Sequence, residues 1–196
     1  GLLCASVKSF DQYQRENAWT WEHMALTRAR VLFGSSDARA QVGHIVVDVL
    51  HSARDVEKLK TDIASMREEM AAHKPPKGDL DVKLLPGGLV DMEFIIHRLQ
   101  LETHDGLVPQ LGPAIDALVA ARHLPADFAT AYALLARLLV MVRLIAPDCA
   151  TPPEAAQALI ADSLGYGSWS NLSVAIRDYR GVVMGQWERL FGPRDF

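Results

Sequence analysis

The chain has 196 residues, of which 49% are hydrophobic and 22% charged, and its formal net charge is −4. That is the composition of a folded globular protein of one sizeable domain, not of a disordered chain, and it lacks the clustered basic surface that nucleic acid requires. Two cysteines, Cys4 and Cys149, stand far apart and match no metal or redox spacing, so they read as reduced thiols in a cytoplasmic protein.

The chain opens Gly1-Leu2-Leu3-Cys4-Ala5, too short for a signal peptide and better suited to a buried strand. With no initiating methionine, the expectation is a piece of a longer protein: residues 1–8 close an upstream domain and residues 9–196 form an all-α helical bundle. Ser9 and Gln12 form an S-x-x-Q capping pattern that opens a helical region to about Arg30, weakened at Asn17 and stopped at Gly34. Ser36 caps the next helix, whose buried face is Val42, Ile45, Val46, Val49 and Leu50. Asp55 begins a third, with Val56, Leu59, Ile63, Met66 and Met70 in a coiled-coil-like stripe and a charged, solvated remainder.

Lys74-Pro75-Pro76-Lys77-Gly78-Asp79 breaks the pattern, Leu80–Leu85 reads as extended, and Pro86-Gly87-Gly88 delays the next helix to Leu89. Pro113 suits the first turn of a helix reaching about His123. Pro125 or Asp127 opens a helix through Ile145 that is apolar nearly all round, the expected centre of the bundle. Its longest apolar stretch, Leu134–Ala146, is broken by Arg137 and Arg143, which argues against a membrane span. A shorter helix ends near Leu164, Gly165-Tyr166-Gly167 turns the chain, and Ser168 or Ser170 caps the last helix. That helix turns Leu172, Ile176, Tyr179, Val183, Trp187 and Leu190 inward. The pattern predicts a folded monomeric bundle.

The seven histidines include no H-E-x-x-H, no H-x-x-x-H and no Cys–His cluster, so no protein-bound metal is assigned. Glu93 and His97 lie four apart on one helix, placed to share a proton or metal or simply to hydrogen-bond. Gly34-Ser35-Ser36-Asp37 superficially matches the glycine-serine-acid signature of nucleotidyltransferases. Position 39 is Arg39, however, where a second carboxylate would be needed for metal binding, and the segment reads as a helix stop and cap. Two further segments carry candidates. In Lys83-Leu84-Leu85-Pro86-Gly87-Gly88-Leu89-Val90-Asp91-Met92-Glu93-Phe94, the glycine pair before a helix start either cradles an anion with Lys83 or merely turns the chain, Asp91 and Glu93 answering the helix dipole. In Trp19-Thr20-Trp21-Glu22-His23, followed by Arg28 and Arg30, the tryptophans are either core or ligand-facing.

These two segments closely resemble the glutamine synthetase adenylyltransferase family, the bifunctional adenylyltransferase and adenylyl-removing enzymes of bacterial nitrogen regulation. Ala18-Trp19-Thr20-Trp21-Glu22-His23 resembles the stretch that follows the nucleotidyltransferase domain of the C-terminal, adenylylating half. Met24 and Met92 are mild departures from the pattern. The resemblance implies transfer of AMP from ATP to a tyrosine of glutamine synthetase, with Mg²⁺, under control by glutamine and a PII-type signal protein. It implies that Leu2-Leu3-Cys4 ends the upstream catalytic sheet, so that the metal-binding acids lie outside this chain. The isolated chain should then be inactive, hold no cofactor tightly, and form a wall of the nucleotide site or a docking surface for substrate and regulator. Nucleotide or domain-interface roles fall to Lys83, Gly87, Gly88, Asp91, Glu93, Trp21, Glu22, Arg28 and Arg30. The alternative is a non-catalytic helical interaction or regulatory module that never touches nucleotide.

Overall fold

A computed structural model describes residues 4–193. Among them are nine helices and no strand: α1 Val7–Glu16, α2 Thr20–Leu26, α3 Ser36–Leu50, α4 Val56–His73, α5 Leu89–Thr103, α6 Leu111–Ala120, α7 Asp127–Ile145, α8 Glu154–Ser163 and α9 Trp169–Phe191. The all-α bundle read from the sequence is the observed fold. The strand expected at Leu2-Leu3-Cys4 lies outside the described residues except for Cys4, which is exposed and irregular.

Four helices begin on a side-chain oxygen that accepts an otherwise unpaired first-turn N–H. Ser6 accepts from Ser9, Ser35 from Ala38, Asp55 from Lys58 and Ser168 from Asn171. The helical region expected to Arg30 is two helices, parted at the weak point read at Asn17. Asn17 closes α1, and at the break the Trp19 N–H donates to Glu22 Oε2 at 2.8 Å, starting α2 afresh. Glu22 also accepts the Tyr13 hydroxyl at 2.9 Å, tying α1 to α2. Because α2 ends at Leu26, Gly34 is no helix stop; it turns the chain at φ +133° just before Ser35 caps α3.

The centre of the bundle is α5 and not α7. Twelve of the fifteen α5 residues are buried, among them Met92, Ile95, Ile96 and Leu101 with no exposed surface. Each such side chain contributes about 1.5–3 kcal/mol of transfer free energy. It packs against α2, α4, α6, α7 and α9. By contrast α7 leaves Val140, Leu144 and Ile145 exposed. In length and composition α7 could cross a membrane, but it packs along α9 and beside α6 and α5. Composition cannot separate a core helix from one that is apolar on an open side, whereas neighbours on every side do.

Leu80–Leu85 is a series of tight turns, not an extended run. Asp81, itself buried, accepts the Lys77 and Leu84 N–H groups and winds the segment around its carboxylate. The Leu80 N–H donates to Cys149 O at 3.0 Å, which fixes this loop to the α7–α8 connection. Cys4 and Cys149 are both free thiols, and burial of Cys149 pushes its pKa up.

Candidate functional site

The two singled-out segments lie 60 residues apart in sequence and meet at one open cleft of about 440 Å³ between α2, α4 and α5. Its walls include Trp21, Arg28, Met66, Lys74, Lys83 and Glu93. Four of the nine sequence-derived candidates therefore share one cavity. Trp21 is 53% exposed and offers an indole to the opening. The Arg28 Nη1 lies 3.6 Å from Glu93 Oε2, a loose and solvated pair, so Glu93 answers an arginine instead of His97. Lys83 and Lys74 are exposed at the cleft, and neither forms an ion pair among the described residues.

His97 is buried at the cleft and its pKa is lowered to about 4, chiefly by desolvation, despite a hydrogen bond to Gln100 that favours the charged form. The Thr27 hydroxyl donates to Met24 O, and Gln100 Oε1 can only accept. Both therefore accept from His97 Nδ1, at 2.9 Å and 3.1 Å, which puts the proton of the neutral ring on Nδ1. His97, Arg28 and Glu93 also wall an adjoining pocket of about 270 Å³ with Gln100 and Tyr132.

Of the two readings of the glycine pair, the hydrogen bonds follow the turn. The Gly87 N–H donates to Asp91 Oδ2 at 2.6 Å, Gly88 to Leu85 O at 2.8 Å, Leu89 to Val82 O at 2.9 Å and Val90 to Lys83 O at 3.1 Å. Those four donors are spent inside the turn. The glycines serve close approach instead: a Cβ on Gly87, at φ +74°, would sit 2.4 Å from Arg180 O, and one on Gly88 would sit 2.5 Å from Val82 O. Asp91 does more than answer the helix dipole. With no exposed surface, it takes Arg67 Nε at 2.6 Å besides the Gly87 N–H. Arg67 Nη2 reaches on to Leu84 O, while Arg180 donates twice to Pro86 O. The turn that presents Lys83 is thus clamped from α4 and α9. Glu22 is occupied with Tyr13 and Trp19, and Arg30 is exposed beyond the end of α2; neither lines the cleft.

Arg67 and Arg180 were not singled out in the sequence. Arg67 occupies what the heptad spacing gives as a solvated position of α4, and no local pattern distinguishes a clamped arginine from a free one. The stripe itself did contain a usable signal, since Met66 and Met70 both reach the cleft wall. Among the described residues no group of three or more His, Cys, Asp or Glu side chains could hold a metal ion. Of the residues that line the cleft only Glu93 is a carboxylate, and Arg28 already engages it, whereas the lysines and Arg28 fit an anionic group.

This geometry belongs to an all-helical segment whose two signature stretches build one cationic, tryptophan-walled cleft. Residues 1–45 match the family described as glutamate-ammonia ligase adenylyltransferase. The chain is 50% identical over 95 residues to the bifunctional glutamine synthetase adenylyltransferase/adenylyl-removing enzyme of Brucella suis biovar 1, covering 48% of this chain and 10% of that protein. It is 45% identical over 116 residues to the same-named enzyme of Bordetella bronchiseptica (57% and 12%), and 44% identical over 101 residues to that of Agrobacterium fabrum (52% and 10%). The matched stretches span about a tenth of the length of these relatives. The resemblance read from the two segments is therefore to a family of transferases named for adenylylating glutamine synthetase.

Proposed function

We propose that this chain is the helical part of a cytoplasmic enzyme that transfers AMP from ATP to a tyrosine of glutamine synthetase. In this reading residues 1–8 close the upstream nucleotidyltransferase domain, which supplies the carboxylates for Mg²⁺. The α2–α5 cleft faces that domain and forms one wall of the nucleotide site. One observation carries it: Trp21, Arg28, Lys83 and Glu93, from the two segments that resemble the family, line the same cavity. Trp21 offers a flat apolar face for a base, and Lys83 and Arg28 offer charge for a phosphate. In this reading the carboxylates that position the metal belong to the upstream domain, so by itself the chain should transfer no AMP.

A second reading makes the chain a docking surface for glutamine synthetase or a PII-type regulator. It is favoured by Leu32 and Phe33, 71% and 86% exposed between α2 and α3. Substitution of Lys83 in the full-length enzyme separates the two. Lys83→Ala should leave the melting temperature nearly unchanged, because an exposed lysine contributes little to folding. ATP-dependent AMP transfer should fall by about tenfold, the equivalent of roughly 1.4 kcal/mol. Wild-type kinetics in a normally folded Lys83→Ala enzyme would remove the cleft from the nucleotide site.

A further inference from the structure

Apart from the α2–α5 cleft, a second cavity of about 350 Å³ opens between the α1–α2 junction and the start of α4, walled by Asn17, Trp19, His23, Arg54, Lys58 and Asp62, among others. Its charges are answered within the protein, with one exception. Lys58 Nζ lies 2.7 Å from Asp62, which also accepts the Thr20 hydroxyl proton. Asp55, the remaining carboxylate on the wall, accepts the Lys58 N–H at 3.0 Å and caps α4.

Arg54 is the exception. No ion pair among the described residues includes it. Nη1 donates to His23 Nδ1 at 2.8 Å and Nη2 to Val49 O at 2.8 Å, both uncharged acceptors, while the Nε–H is shut off from solvent with no acceptor. The histidine cannot supply a counter-charge. Its Nε2 lies 2.9 Å from Gln14 O, to which it donates, and its Nδ1 therefore accepts from Arg54. Burial of His23, with Arg54 beside it, disfavours the imidazolium. A guanidinium drawn partly out of water and balanced only by dipoles is costly unless an anion completes it. Of its five N–H groups, two have protein acceptors.

We infer that this cavity binds an oxyanion, the carboxylate or phosphate of a small ligand, with Arg54 as its anchoring cation and the Trp19 indole beside it. Trp19 is 70% exposed, free to cover the organic part of such a ligand. Asp55 and Asp62 face the same space, but each is already engaged, and their charge disfavours a dianion more than a monoanion. The site stands apart from Lys83 and Glu93 and does not depend on the proposed transfer role.

The test is a titration of the ¹⁵N-labelled 196-residue chain with sodium acetate and, separately, sodium phosphate, with sodium chloride at matched ionic strength as the control. The expected result is a saturable shift of the Arg54 guanidinium and Trp19 indole N–H signals that chloride does not reproduce. The probe that saturates at lower concentration identifies the ligand group as carboxylate or phosphate. Arg54→Lys, which keeps the charge but loses the planar fork, should weaken binding by about tenfold. If that variant fails to fold, Lys58→Gln replaces it; Lys58 is 69% exposed, and its loss releases the Asp62 charge toward the anion and should also weaken binding. No saturable shift at Arg54 with either probe overturns the inference, as does an equal shift with chloride. So does anion binding that is unchanged in the folded variants.

Discussion

Replacing Asp91 by Asn tests the clamp beneath Lys83 with almost no change in shape. The carboxylate and Arg67 are 0% and 3% exposed, so neither charge is screened by water. Asn keeps the volume but removes the charge that answers Arg67, and its amide can accept from only one of the two donors now aimed at the carboxylate, Arg67 Nε and the Gly87 N–H. Breaking a buried pair by removing one partner costs about 3–5 kcal/mol, and an unsatisfied buried N–H about 1–3 kcal/mol within that range. Against a total stability on the order of 5–15 kcal/mol, Asp91→Asn should lower the urea midpoint substantially while leaving the slope unchanged. The joint replacement Arg67→Met with Asp91→Leu removes both charges. It should cost less than either single change, because no unpaired ion remains. A loss below about 1 kcal/mol in Asp91→Asn, with the double variant no better, would show that the pair does not hold the turn.

Gly87→Ala should cost more than about 2 kcal/mol in the same denaturation assay, since it adds a Cβ 2.4 Å from Arg180 O at a residue with φ +74°. Buried His97 has a folded pKa of about 4 against an ordinary unfolded value near 6.5, so the unfolded chain binds more protons between those values. Stability should be full at neutral pH and fall by about 3 kcal/mol as pH drops from roughly 6.5 to 4; His97→Gln should flatten that part of a stability–pH profile. Cys149, buried and with its thiol pKa raised, should resist alkylation in the native protein while exposed Cys4 reacts readily, as mass spectrometry of iodoacetamide-treated protein would reveal.

Local signals in the sequence place most of the helices, because a cap acts within four residues: Asp55 and Ser168 start α4 and α9 as their types suggest. Ser9 illustrates the limit, since Ser6 takes the cap instead and Ser9 supplies the N–H it accepts. The rank of helices in the core was not legible. α7 is the more apolar by composition, yet α5 is enclosed on more sides and buries even Asp91, His97 and Arg98. The candidate site was half legible. Trp21, Arg28, Lys83 and Glu93 do converge, but the pairing of Glu93 with Arg28 instead of His97 depends on how α2 lies across α5. The glycine pair conveyed a tight turn but left its donors open, because nothing nearby in sequence announces that Val82, Lys83 and Leu85 carbonyls take the N–H groups of this turn.

The bond from Arg180 to Pro86 O joins residues 94 positions apart, and this has a consequence during synthesis. A nascent chain makes α2, α4 and the Pro86-Gly87 turn well before α9 leaves the ribosome. Until then the Pro86 carbonyl has no guanidinium, and the apolar surface awaiting Val183 and Trp187 stays open to water or a chaperone. The segment that presents Lys83 is consequently finished only once α9 has emerged. Ribosome-arrested chains ending before α9 should be cut by protease near Pro86, and protection should appear only once Arg180 has cleared the exit tunnel.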